Sequence, residues 1–223
     1  MKVAIKTLIL CFISCLISCT SSDKHKVQVL LADTSVTHEE FDAGYLSTRQ
    51  RNKILNLKDL ELGTDSFEIR IYETGMWTPE KLYVIKNENK KWCCMVYYFW
   101  QRNPMDTDIH QTVNIPYQEK IKQSILDSAM MYTYTPKCGW KNFADSLNLF
   151  NLFSFLSQRE IPNFRDGVSD GVSFDIEIGT PDKYKYFSYH CPGFHHDYYH
   201  SKVNEFLKFI SRQIDYVDIC DKK

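Results

Sequence analysis

The sequence predicts an α+β domain in which an antiparallel sheet, made of a three-stranded meander and a later hairpin, carries helices packed on one face. Three observations lead there. Residues 67–72 and 172–178 alternate apolar with polar side chains, the period-two pattern of a half-buried strand. Residues 91–100 (KWCCMVYYFW) are apolar on both faces, as a strand covered on both sides would be. Residues 139–150 and 199–214 repeat apolar side chains at helical spacing.

The first stretch of the chain has a different character. Lys2 and Lys6 make a basic start, residues 7–17 are apolar, and Thr20, Ser21 and Ser22 follow Cys19. These are the parts of an export signal, and the apolar run is shorter than the roughly 20 residues a spanning helix needs. Leu16-Ile17-Ser18-Cys19 resembles the lipobox of bacterial lipoproteins, with a branched apolar residue three before the cysteine and a small one just before it. The resemblance implies cleavage before Cys19 and attachment of a diacylglycerol to its thiol. An uncleaved membrane anchor and a plain secretory signal are the alternatives. Each buried acyl methylene contributes about 0.8 kcal/mol, and two chains hold stably where one does not. A lipidated Cys19 would therefore keep the domain on a membrane with no spanning helix. Thr20, where an aspartate would otherwise stand, is similar to the pattern of enterobacterial lipoproteins sorted to the outer membrane. The expected location is the cell envelope, at the outer membrane, on its periplasmic or its outer face. The expected organisation is a signal peptide over 1–18, a polar tether over 19–26 and one globular domain over 27–223.

Composition narrows the partners. The chain has 223 residues, enough for a single domain with a core, and shows no internal repeat. Its formal net charge of −1 becomes more negative once Lys2 and Lys6 leave with the leader, which argues against a nucleic-acid partner. The expected partners are the membrane, through the N-terminal lipid, and another envelope protein. Of the eight cysteines, Cys11 and Cys15 lie in the leader and Cys19 takes the lipid. Cys93, Cys94, Cys138, Cys191 and Cys220 remain, an odd set in a compartment that can oxidise thiols. Cys93 and Cys94 read as small buried hydrophobes on a strand. Cys138, Cys191 and Cys220 are the candidates for a disulfide, and sequence does not choose the pair.

Taken in order, residues 27–31 suit a first strand. From 37 to 57 the pattern is weak, with His38-Glu39-Glu40-Phe41 as a helix start, and Gly63 closes the region. Residues 67–72 and 81–86 are strands. Asn87-Glu88-Asn89-Lys90 is a polar turn of hairpin length, and 91–100 follows as the central strand. A polar loop over 101–111 leads to Pro116, which opens a helix reaching about Met130 with Ile121, Ile125 and Ala129 on one face. The next helix, 139–150, carries Trp140, Phe143, Ala144, Leu147 and Phe150 on one stripe. Asp166-Gly167 and Asp170-Gly171 mark turns. Val172, Phe174, Ile176 and Ile178 then face the core, while Ser173, Asp175 and Glu177 face water. Residues 183–189 pair back. Asp197 is the N-cap of a last helix that buries Val203, Phe206, Leu207, Ile210 and Ile214.

Segments 67–100 and 167–192 resemble those of uncharacterised exported lipoproteins of the Bacteroidota. The shared features are the meander, the run Asp170-Gly171-Val172-Ser173-Phe174-Asp175-Ile176-Glu177-Ile178 and a tyrosine-rich strand ending His190-Cys191-Pro192. The resemblance implies compartment and fold, and it carries no activity.

Residues 190–200 hold the densest set of chemically able side chains: His190, His195, His196 and His200, four of the seven histidines, with Cys191 and Asp197. Imidazole, thiolate and carboxylate are the usual ligands of zinc or copper. Against a metal site stand the Pro192-Gly193 loop, the absence of an HExxH motif and the placement of His196 before the helix. Asp166, Asp170, Asp175 and Glu177 are the carboxylates available for glycoside chemistry, with Asp175 and Glu177 read as solvated. Nucleophilic catalysis has no G-x-S-x-G elbow to work from. Cys191 next to His190 is not a catalytic dyad, because strand neighbours point apart. A pairing of Cys138 or Cys191 with a distant histidine remains open. No phosphate-cradling glycine motif is present. The reading favoured by these observations is a non-enzymatic, lipid-anchored binding or accessory domain without a cofactor. The alternative is a metal-dependent hydrolase using His190, His195, His196 and His200 with zinc or copper.

Overall fold

The computed structural model describes residues 43–75, 79–102, 117–164, 168 and 170–214. The leader, Cys19, the tether, the strand expected at 27–31, the helix start at 38–41, Pro116, Asp166-Gly167 and Cys220 lie outside them. In chain order the elements are α1 (Ala43–Ile54), β1 (Phe67–Thr74), β2 (Glu80–Glu88), β3 (Lys91–Arg102) and α2 (Tyr117–Lys122). Then come β4 (Ile125–Tyr134), α3 (Gly139–Leu149), β5 (Ser173–Gly179), β6 (Tyr184–His190) and α4 (Tyr198–Gln213). All six strands pair antiparallel in one open sheet, ordered β4-β3-β2-β1-β5-β6.

The expected α+β architecture is the one observed. The hairpin β2–β3 closes through Asn89 and Lys90, whose φ angles of 52° and 63° give the left-handed pair that a two-residue turn matching strand twist requires. The later hairpin β5–β6 joins the meander through β1, with Ile71 opposite Ile176. One apolar core lies between this sheet and the two C-terminal helices. It contains Ile69, Ile71, Ile85, Ile176, Ile178 and Phe187 from the strands, and Phe143, Phe206 and Ile210 from α3 and α4. Each such fully buried side chain contributes roughly 1.5–3 kcal/mol by leaving water. Asp197 caps α4, its carboxylate accepting from the amides of Tyr199 at 2.9 Å and His200 at 3.1 Å.

Residues 125–134 correct the expected long helix from Pro116 to Met130. The helix is short, α2, and the chain then runs as β4 alongside β3. Alanine, leucine and methionine favour a helix there, but the open edge of β3 supplies a ladder of hydrogen bonds that local propensity cannot outweigh. Every residue of β4 from Ile125 to Thr133 is exposed, and among the described residues no strand pairs its outer edge. The other edge is treated differently. The Ser157 hydroxyl accepts from the Ser188 amide at 3.0 Å and the Gln158 side chain accepts from the His190 amide at 2.5 Å, capping β6 where another strand would dock.

A second correction concerns β3. It pairs on both sides, yet Trp92, Cys93, Met95, Tyr97 and Tyr98 are only half-buried. The strands buried on both faces are β1, β2 and β5. Helix α1 covers the second face over β1 and β5. Its inward residues Thr48, Arg51 and Asn52 stand at i, i+3 and i+4 but are all polar, which is why no hydropathy period marked it.

Candidate functional site

The polar residues of α1 meet polar residues of the sheet. Arg51 reaches Glu80 at 2.5 Å, Asp175 at 3.2 Å and the Thr74 hydroxyl at 2.9 Å. The Asn52 amide nitrogen donates to Glu177 at 3.0 Å, while its oxygen accepts from Arg70 at 2.8 Å and from the Tyr72 hydroxyl. Tyr184 donates to the other Glu177 oxygen at 2.9 Å, and Tyr186 donates to Asp175 at 2.8 Å. Asp175 and Glu177 are therefore buried, not solvated as expected from their alternation on the strand, with relative exposures of 4% and 0%. A helix laid over a strand's polar face converts that face into a second interior. Burial pushes the Glu177 carboxyl up, against the Arg70 guanidinium and the Asn52 and Tyr184 donors. Burial pulls Arg51 down, and the carboxylates of Glu80 and Asp175 more than restore it. Burial and the neighbouring Glu177 push the Tyr72 and Tyr184 phenols well up, so both remain donors at neutral pH. These carboxylates have their oxygens engaged by protein donors and hold the helix to the sheet. That is not the open pair that glycoside chemistry needs.

The open chemistry lies where β5 begins and β6 ends. On the α1 side, Arg51, Asp175, Ser173, Ser188, Gln158 and His190 line a polar cavity of about 660 Å³. On the other face, an apolar cleft of about 620 Å³ is walled by Ile71, Phe174, Leu207 and Ile210, with the exposed Phe194 among its lining residues. Its charged groups are Lys208 and the ion pair of Lys81 with Glu73 at 2.9 Å. Cys191 stands in the wall of this cleft, and His190 in the wall of the polar cavity.

Those two side chains meet around the end of the strand. Cys191 has left-handed backbone angles, φ 46° and ψ 53°, and the chain turns at once into the short 3-10 helix Pro192–Phe194. Regular strand geometry, which the sequence suggests here, points neighbours apart. The left-handed turn ends the regular strand, and Cys191 Sγ sits 3.7 Å from His190 Nε2, which corrects that expectation. His190 Nδ1 lies 2.9 Å from the Ser173 hydroxyl, and the thiol also reaches the Asp170 carbonyl oxygen at 3.5 Å. A proton on Nδ1, donated to Ser173, leaves Nε2 as the acceptor facing the thiol. Gly171 makes room for this contact. It has φ +151°, and a Cβ there would come within 1.9 Å of the Cys191 sulfur. A side chain in left-handed backbone is uncommon outside Asn, Asp and Gly, and such positions concentrate at functional sites.

The remaining histidines are arranged otherwise. The rings of His195 and His200 pack at 4.3 Å between centroids, with Phe164 at 5.1 Å and 5.0 Å from them, and His196 is exposed. His200 Nδ1 lies 2.5 Å from the Asp197 carboxylate. Burial raises the Asp197 carboxyl, but its bonds from the His200 amide and ring together hold it below the usual range. Among the described residues, no three His, Cys, Asp or Glu side chains form a group that could hold a metal ion. His190 is engaged with Ser173 and Cys191, apart from the aromatic contacts of His195 and His200. Among the described residues Cys93, Cys94, Cys138 and Cys191 are free cysteines, and no bridge joins Cys138 to Cys191. Burial pushes the Cys94 thiol up to about 12, as suits a core hydrophobe.

The sequence places Ser173 on a strand and Asp170 and Gly171 at a turn, with Asp170 also among the candidate carboxylates, and connects none of them to Cys191. The signal that could have joined them to the histidine-rich stretch is the hairpin register, which sets Ser173 opposite His190. No known protein family, curated protein or solved structure matches this chain.

Proposed function

We propose that this chain is a lipid-anchored cell-envelope protein whose domain serves as a binding or accessory module, with the apolar cleft beside α4 as its binding site. The observation that carries the anchoring is the sequence Leu16-Ile17-Ser18-Cys19 at the end of an apolar run too short to span a bilayer. The likeness to exported lipoproteins of the Bacteroidota points the same way, and Thr20 favours the outer membrane. No helix among the described residues is long and apolar enough to cross a membrane. The cleft supports the binding role: it is concave, mainly apolar and edged by a few charged groups, the usual form of a small-molecule site. Its ligand class is an amphipathic molecule whose apolar part lies along Phe174 and Leu207, with its polar end near Lys208.

Mass spectrometry of the mature N-terminus tests the anchor. The expected species begins at Cys19 and carries a diacylglyceryl group, and Cys19→Ser moves the protein to the soluble fraction. Unchanged membrane association of that variant, or a mature N-terminus without fatty acyl mass, refutes the reading.

A further inference from the structure

We infer that Cys191, His190 and Ser173 form a thiol acyl-transfer site, and that the apolar cleft holds the acyl chain of an ester or thioester substrate. Three independent observations converge on it. Cys191 stands in the wall of the cleft in left-handed backbone, at a strand–turn–helix junction that turns a side chain out of the sheet's alternation. Its sulfur lies 3.7 Å from His190 Nε2, and the other ring nitrogen is held by Ser173 at 2.9 Å. This is the nucleophile, base and orienting group that covalent catalysis needs, with the nucleophile–base contact at the loose spacing of an unliganded site. The cleft itself is apolar where an acyl chain would lie, through Ile71, Phe174, Leu207 and Ile210.

The chemistry balances without any further reagent. The thiol proton passes to His190 Nε2 as Sγ bonds to the substrate's carbonyl carbon. The bond from that carbon to the leaving oxygen or sulfur then breaks, and the leaving group takes the proton from His190. Water next adds to the thioester carbonyl carbon with His190 taking its proton; the carbon–sulfur bond then breaks, and His190 returns that proton to Sγ, which releases the carboxylic acid and restores the thiol. Ser173 is a positioning residue in this scheme, since its hydroxyl holds the His190 ring in orientation and touches no reacting atom. The inference rests on the cleft of the proposed binding role and is independent of the lipid anchor.

The test treats the purified full chain with p-nitrophenyl butyrate and maps the acyl mass on each cysteine. Cys93 and Cys138 are more exposed than Cys191, so they serve as internal comparators. The expected result is an acyl adduct on Cys191 ahead of both, with nitrophenolate release that Cys191→Ala removes. His190→Asn keeps a donor near Ser173 but lacks Nε2, and it should slow acylation at Cys191 by about 100-fold or more. Ser173→Ala should lower the rate of acylation at Cys191 and Ser173→Thr should restore it, because the hydroxyl holds the imidazole in orientation. Near-ultraviolet circular dichroism shows that each variant is folded, and in the folded variants binding of 1-anilinonaphthalene-8-sulfonate, followed in parallel, reports the cleft. Acylation at Cys191 no faster than at Cys138, or unchanged in His190→Asn, overturns the inference. If the fluorescent probe still binds in that case, the binding role stands without the chemistry; if it fails to bind, both fall.

Discussion

The two faces of the sheet are interiors of opposite kinds. Between the sheet and α3 with α4, Ile71, Ile176, Phe143 and Phe206 exclude water mainly by apolar packing. Between the sheet and α1, a hydrogen-bonded net of Arg51, Asn52, Arg70, Glu177 and Tyr72, all with relative exposures of 4% or less, stands beside a small apolar cluster of Leu82, Val84 and Phe99. The apolar side tolerates small losses in proportion to the volume removed. The polar side is all-or-none, since a charge left without its partner has neither water nor protein to satisfy it. This difference teaches why the first face was visible in the sequence and the second was not.

Adjacent residues of β5 put the comparison to the test. Glu177→Ala should cost about 3–5 kcal/mol, because it leaves the Asn52 amide and the Tyr184 hydroxyl buried without their acceptor and removes a buried carboxylate 4.0 Å from Arg70, which keeps Glu68 and Asn52. Ile176→Ala, on the apolar side, should cost about 2–5 kcal/mol, set by how far the neighbouring Ile71 and Phe187 relax into the space. Urea unfolding monitored by tryptophan fluorescence measures both. A Glu177→Ala loss under about 1 kcal/mol would mean that water enters beneath α1 and that the net is not a true interior.

The smallest expected effect is a pH slope. The Glu177 carboxyl is raised in the folded protein, so the folded state holds its proton more tightly than the unfolded chain does. Its contribution is fully present below the ordinary carboxylate value and is lost as pH rises through the raised one. Asp197 acts in the opposite sense: its carboxyl is lowered, and its contribution is lost as pH falls through the lowered value. Comparing wild type with Glu177→Gln at each pH cancels the Asp197 part. The wild-type protein should lose stability relative to the variant as pH rises through the raised value. Parallel curves would contradict the burial of this carboxylate in ionisable form.

Much of the apolar side was legible. The alternation of Phe67, Ile69 and Ile71, the positive-φ turn at Asn89-Lys90 and the Asp197 cap each act through neighbours in sequence. Helix α1 escaped notice because its buried stripe is Thr48, Arg51 and Asn52, so the usual apolar period was absent. β4 escaped because Ile121, Ile125 and Ala129 fit a helix face, and only the free edge of β3 selects the extended form. The contact of Cys191 with His190 depends on a left-handed residue that no residue type at that position announces.

The sequence by itself determined the α+β class, the strands of the meander and hairpin, and the two helices that seal the apolar core, because burying apolar stripes is a local, periodic signal. Only the tertiary structure decided that Asp175 and Glu177 lie inside, that residues 125–134 are a strand, and that a thiol, an imidazole and a hydroxyl meet at the end of β6. Each of those outcomes is set by a partner remote in the chain: a polar helix laid on a polar face, a strand edge awaiting a ladder, a glycine leaving room for sulfur. Free energies of that kind belong to pairs of segments, and no single segment encodes them.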